Sequence, residues 1–233
     1  MKRVVTLSLI GLMFVAALSV APGTAQAQGP GLVSSILNRM DRNRRELSSL
    51  RSGIIMQKYN AQIRVEEMYE GDLQYVAGSG STLKLRVDWS RPAREHLAVS
   101  GGQYTLFRPR LNVAYRGSTS GASKNTKVNN VLGFGLNISG AQAKSKFNVE
   151  LVGDGILYGN LHVTQLKLTP KGAAGYQYAE IWVDNTGMPV QTRVVERNGD
   201  FTTVRLVNFQ KNARVDGNVF NLDLPSGAKI VKG

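Results

Sequence analysis

The sequence predicts a mainly β, α+β fold, a single curled antiparallel sheet of about ten or eleven short strands joined by two or three helices. Three observations carry that class. Apolar and polar residues alternate along most of the chain after Gly53, turn residues recur about every ten residues, and one amphipathic stretch of helical spacing precedes the alternation. With 233 residues and a hydrophobic fraction of 42%, the chain can bury one sizeable core.

The first segment reads as an address. Lys2 and Arg3 precede an unbroken apolar stretch from Val4 to Val20, Pro22-Gly23 breaks it, and Ala25-Gln26-Ala27 supplies the small residues of a cleavage site. We therefore expect residues 1–27 to be a signal peptide cleaved after Ala27. Export to the periplasm and a single domain over 28–233 follow. Leu32, Val33, Ile36, Leu37, Met40, Leu47 and Leu50 then repeat at helical spacing, with Arg39, Arg42, Arg45 and Glu46 on the other side. This predicts an amphipathic helix over Leu32–Leu50, ended by Ser52-Gly53, that covers one face of the sheet.

Strands follow. Ile54–Met68 and Leu73–Val76 are expected as two, hinged at Glu70-Gly71-Asp72. Leu83, Leu85, Val87 and Trp89 alternate with Lys84, Arg86 and Asp88; next come Leu97/Val99, Tyr104/Leu106 and Val113/Tyr115, separated by Arg91-Pro92, Gly101-Gly102 and Arg108-Pro109. Gly117 to Gly140 is polar and reads as a long loop with a short helix near Val131–Ile138. A second short helix runs from an N-capping Ser139 to about Lys146. Alternation resumes at Phe147/Val149/Leu151, Leu166/Leu168 and Ala179/Ile181/Val183. Asp184-Asn185-Thr186-Gly187 and Asn198-Gly199 mark hairpins, and Phe220/Leu222/Leu224 reads as a last strand.

The composition excludes several chemistries. There is no cysteine, so disulfides, thiolate metal sites and thiol nucleophiles are absent, and His96 and His162 are too few for a multi-histidine centre. Gly117–Gly121 has threonine where a nucleophile elbow needs serine, and Gly133-Phe134-Gly135 lacks the rest of a dinucleotide fingerprint. Glu95 and His96, like Glu66 and Glu67, are neighbours on a strand and so face opposite ways. We expect no enzyme activity, catalytic residue, cofactor or metal. A formal charge of +13 favours anionic partners, and export points to membrane surfaces rather than nucleic acid.

A sheet this long curls and buries apolar side chains on one face. Its candidate inward residues are Leu83, Leu85, Val87, Trp89, Leu97, Val99, Tyr104, Leu106, Ile181, Val183 and Phe220. Ile36, Leu37 and Met40 are the candidate contacts of a helical lid. Periodicity leaves a filled core and a partly empty ligand cavity both open.

Leu47-Ser48-Ser49-Leu50, Leu85-Arg86-Val87-Asp88-Trp89-Ser90-Arg91-Pro92, Gly101-Gly102-Gln103-Tyr104-Thr105-Leu106-Phe107-Arg108-Pro109, Leu166-Lys167-Leu168-Thr169-Pro170-Lys171, Ile181-Trp182-Val183-Asp184 and Asp216-Gly217-Asn218-Val219-Phe220-Asn221-Leu222-Asp223-Leu224-Pro225-Ser226-Gly227 occur in this order. The series, over about 32–233, resembles the periplasmic outer-membrane lipoprotein carrier family (LolA-like). That resemblance implies an unclosed antiparallel β-barrel whose concave face is covered by helices. It implies a chaperone that shields lipoprotein acyl chains between the inner and outer membranes, with an ATP-binding-cassette exporter and an outer-membrane acceptor as partners. No position matches the family's lid-closing arginine. We read the protein as a monomer that binds acylated lipoproteins or lipids, with a lipid- or lipoprotein-sensing module of the same fold, and a structural envelope protein with a packed core, as the alternatives.

Overall fold

The computed structural model describes residues 29–78, 83–119 and 138–233. The expected signal peptide and, apart from Ile138, the helix expected at Val131–Ile138 lie outside them. Helix α1 (Gly29–Glu46) leads into β1 (Ser49–Asn60), β2 (Val65–Val76), β3 (Lys84–Arg91), β4 (Glu95–Ser100), β5 (Gln103–Arg108) and β6 (Val113–Ser118). Helix α2 (Gly140–Lys146) precedes β7 (Phe147–Leu157), β8 (Leu161–Pro170), β9 (Tyr178–Asp184), β10 (Pro189–Val195), β11 (Phe201–Lys211) and β12 (Lys229–Lys232). All twelve strands form one sheet in the order β12-β6-β5-β4-β3-β2-β1-β11-β10-β9-β8-β7. Its edges, β12 and β7, do not pair with each other, so the barrel is unclosed.

Register ties the apolar residues to one face. Met56 opposes Val204, Val204 opposes Thr192, Thr192 opposes Ile181 and Ile181 opposes Leu166. On the other side Tyr75 opposes Leu85, Leu85 opposes Val99, and Val99 opposes Tyr104. Residues of β1–β5 share a contiguous buried cluster with Val163, Met188, Val190, Val204 and Leu206, which a curled sheet brings within reach.

Three expectations are corrected. The turn between the first two strands lies at 61–64, where the Asn60 side chain accepts from the amides of Gln62 and Ile63 (3.1 Å each) and Arg64 has φ 53°. Gly71 lies within β2 instead: at the β2–β3 irregularity a β-carbon there would overlap the Asp88 carbonyl. The first helix stops at Glu46, because Asn212 accepts from the Ser48 amide (2.8 Å) and β11 takes up the backbone of Leu50. Leu50 thereby becomes an inward residue of β1, in line with Ile54.

The last correction concerns the C-terminal segment. Gly217–Phe220 is a 3₁₀ turn that Asp216 caps, not a strand, and the chain ends in β12, which pairs in parallel with β6. Turn and capping chemistry overrides an alternation of only three apolar positions.

Candidate functional site

Two helices cover the β7–β9 end of the inner face. Val33, Ile36, Leu37 and Met40 of α1 and Ala143 of α2 are buried against Leu166, Leu168, Ile181 and Val183. α2 starts as the sequence indicates: the Ser139 hydroxyl accepts from the Gln142 amide (3.1 Å), and the Gln142 side chain accepts from the Ser139 amide (3.0 Å). Its Gly140 amide donates to Asp41 of α1 (3.0 Å).

The later half of α1 is pinned to the β9–β10 hairpin. Asn43, buried, donates to the Met188 sulfur (3.4 Å), while Lys211 donates to Asn43 (3.3 Å) and Thr186 (3.0 Å). Asp184 Oδ1 holds the hairpin by accepting from the amides of Thr186 and Met188 (2.8 Å each). Gly187, at φ 89°, lets the turn lie against α1, since a β-carbon would overlap the Arg39 carbonyl. The earlier half of α1 is tied instead to α2, where Lys144 donates to Ser34 (3.1 Å), and Leu32, Ser35, Ile36 and Arg39 line a groove of about 440 Å³ whose other wall is Leu151, Asp154, Gly155, His162, Val163, Thr164 and Asn185.

Leu85, Val87, Trp89, Leu97, Val99, Tyr104 and Leu106 lie in the β1–β5 part of the inner face, and half-buried Leu83 packs against them. Ile181 and Val183 lie beneath the helices, opposite Ile36, Leu37 and Met40. Phe220 does not join either group. It packs on the outer face, under the Lys84 ammonium (6.0 Å), while Arg86 donates to the neighbouring Val219 carbonyl (3.1 Å).

The inner face is not wholly apolar. The Trp89 indole N–H is buried, with no hydrogen-bond partner among the described residues. Nearby, Tyr69 packs edge-on against Trp89 (6.0 Å) and donates to Glu67 (2.6 Å). Burial first, then that bond and the charges of Glu67 and Glu95, push the Tyr69 phenol up to about 12, with Arg108 opposing. Glu95 in turn meets Arg108 at 3.4 Å.

The outer face holds a cluster that sequence reasoning missed. His96 Nδ1 lies 2.6 Å from Asp88 Oδ1, which also accepts from Arg86 Nε at 2.7 Å, and His96 stacks on Phe107 (6.4 Å). The signal was available, since pairing Val87 with Leu97 places Asp88 opposite His96. The histidine's neighbour Glu95 faces the other way, as the alternation requires.

Residues 82–223 match the model of the outer membrane lipoprotein carrier protein LolA. The chain belongs to this family. No curated protein matches it in sequence. Among solved structures, MucB superposes at TM-score 0.56 with 17% identity, over 85% of this chain and 64% of that one. An uncharacterised conserved protein from Thermus thermophilus gives 0.53 with 12% identity, over 87% and 99%. The Mycobacterium tuberculosis lipoprotein LppX gives 0.50 with 13% identity, over 80% and 99%. These likenesses show the shared fold, and the LolA-family chain spans less than two thirds of MucB.

Proposed function

We propose that this LolA-family protein is a periplasmic carrier that holds the acyl chains of lipoproteins against its apolar inner face and moves them from the inner to the outer membrane. In this reading an inner-membrane ABC exporter loads it and an outer-membrane acceptor unloads it. The observation that carries the reading is an inner face lined by two buried apolar clusters, the one over β7–β9 covered by α1 and α2 among the described residues, in a chain of the carrier family. Burying each CH₂ is worth roughly 0.8 kcal/mol, so one 16-carbon chain carries on the order of 12 kcal/mol of drive toward such a face. The Trp89 N–H, which meets no acceptor among the described residues, offers a donor that a ligand's ester or amide carbonyl can meet.

Native mass spectrometry of protein purified from cell envelope, followed by displacement with a fluorescent acyl probe, tests the reading. Co-purified lipid or lipoprotein that the probe displaces supports it. A bare protein mass with no probe uptake makes the inner face a filled core and removes the carrier. The likeness to MucB, itself crystallised with a MucA segment, supports a second reading: a lipid- or lipoprotein-sensing module without transport. Lipid transfer between two vesicle populations separates the two, because a sensor binds the probe but moves nothing.

A further inference from the structure

Exposed apolar side chains gather beside the groove under α1. Tyr158, at the tip of the β7–β8 hairpin, is 90% exposed, Ile156 is 61% exposed, and Leu32 of α1 is 47% exposed. Ile156 pairs with His162, a groove residue, and Leu32 lines the same groove from the helix side. The tip turns through Gly159 (φ 82°) and Asn160 (φ 58°), which carries Tyr158 clear of the sheet.

Charge frames this patch on one side. At 100° per residue, Leu32, Ser35, Arg39 and Arg42 lie on one flank of α1, the flank toward the groove. Arg45 continues the basic series on the solvent side, and the helix has no acid in its first turn. Asp154 is the one carboxylate among the groove-lining residues, and it accepts a hydrogen bond from Thr164 (2.7 Å). An exposed aromatic with aliphatic neighbours and a flanking arginine row is the composition of a surface that sits at a lipid–water boundary. Arg42 and Arg45 are exposed and Arg39 is half-buried with its Nε enclosed, and anionic headgroups supply the counter-charge for such a row.

We propose that the β7–β8 tip and the groove-side flank of α1 form a docking surface for a bilayer rich in anionic phospholipid. Tyr158, Ile156 and Leu32 enter the interface, Arg39 and Arg42 meet headgroup phosphates, and the groove opens onto the membrane. Docking is independent of cargo, so it stands or falls apart from the carrier reading.

The absence of native cysteine makes the test direct. Tyr158→Cys, and as a control Leu111→Cys (Leu111 is 63% exposed, on the turn between β5 and β6), each carry an environment-sensitive fluorophore. Both labelled proteins are checked for unchanged thermal unfolding. They are then mixed with vesicles of phosphatidylcholine alone or enriched in phosphatidylglycerol. The expected result is a blue shift and brightening at 158 only, only with the anionic vesicles, reversed by high salt. In the label at 158, Arg39→Glu with Arg42→Glu should weaken the response about tenfold, which corresponds to about 1.4 kcal/mol. Because each label reports its own surroundings, membrane binding through another segment leaves position 158 in water. A silent label at 158, a response equal to that at 111, or one indifferent to lipid charge overturns the proposal.

Discussion

Tyr69 shows how one side chain couples the inner face to pH. An unfolded chain releases a tyrosine proton near pH 10, while the folded protein holds this one up to about 12. Between those values the unfolded state binds fewer protons, so raising the pH favours unfolding. The stabilising contribution is complete below about pH 10 and is lost as pH rises through 12. Tyr69→Phe removes the titration, and denaturant unfolding of the variant should lose less stability than the parent between those two values. Parallel stability–pH curves for the two proteins would show that the phenol is not held as described.

At the scale of elements, α2 depends on its cap. Ser139→Ala removes the acceptor for the Gln142 amide, and it should cost about 1 kcal/mol, read as a lower denaturant midpoint with an unchanged slope. A midpoint equal to that of the parent would mean that α2 is held by its packing on α1 alone. Ser139 was legible because a cap is a local event, written in the residue and its neighbour three positions on. So were the inward residues from Leu85 to Leu106, whose alternation persists over consecutive short strands. Gly71 was misread as a hinge because close approach to β3 and freedom to turn both ask for the same residue, and sequence does not distinguish them. Asn60, whose side chain closes the real turn, carries no glycine or proline to advertise it. Phe220 alternates with Leu222 and Leu224 yet belongs to a capped turn on the outer face. The Asp88–His96 pair needed cross-strand register, which spacing within either strand does not contain. The family resemblance supplied what periodicity could not, that the sheet is unclosed.

For the whole molecule, the question is whether the roof moves. α1 is fastened to the β9–β10 hairpin at Asn43, while its first turns are held by α2 through Ser34 and by apolar packing, so opening would swing those turns away from β7 and β8. Cysteines introduced at Ser35 and Thr164, on opposite walls of the groove, can be joined by a reducible crosslinker. Uptake of the acyl probe should fall at least about tenfold when they are joined and recover on reduction. Uptake indifferent to the bridge would rule out α1 as a lid. The strand order has a further bearing on how the chain is made. β1 to β6 can pair one after another as they emerge, but the outer margin of β6 waits for β12, synthesised far later. Until then β6 presents a row of unsatisfied amides and carbonyls, a template on which a second nascent copy can assemble. β12 thus acts as a cover for that margin: translation or secretion halted before Lys229 leaves a molecule with nearly its whole sheet and the full length of β6 as a sticky border.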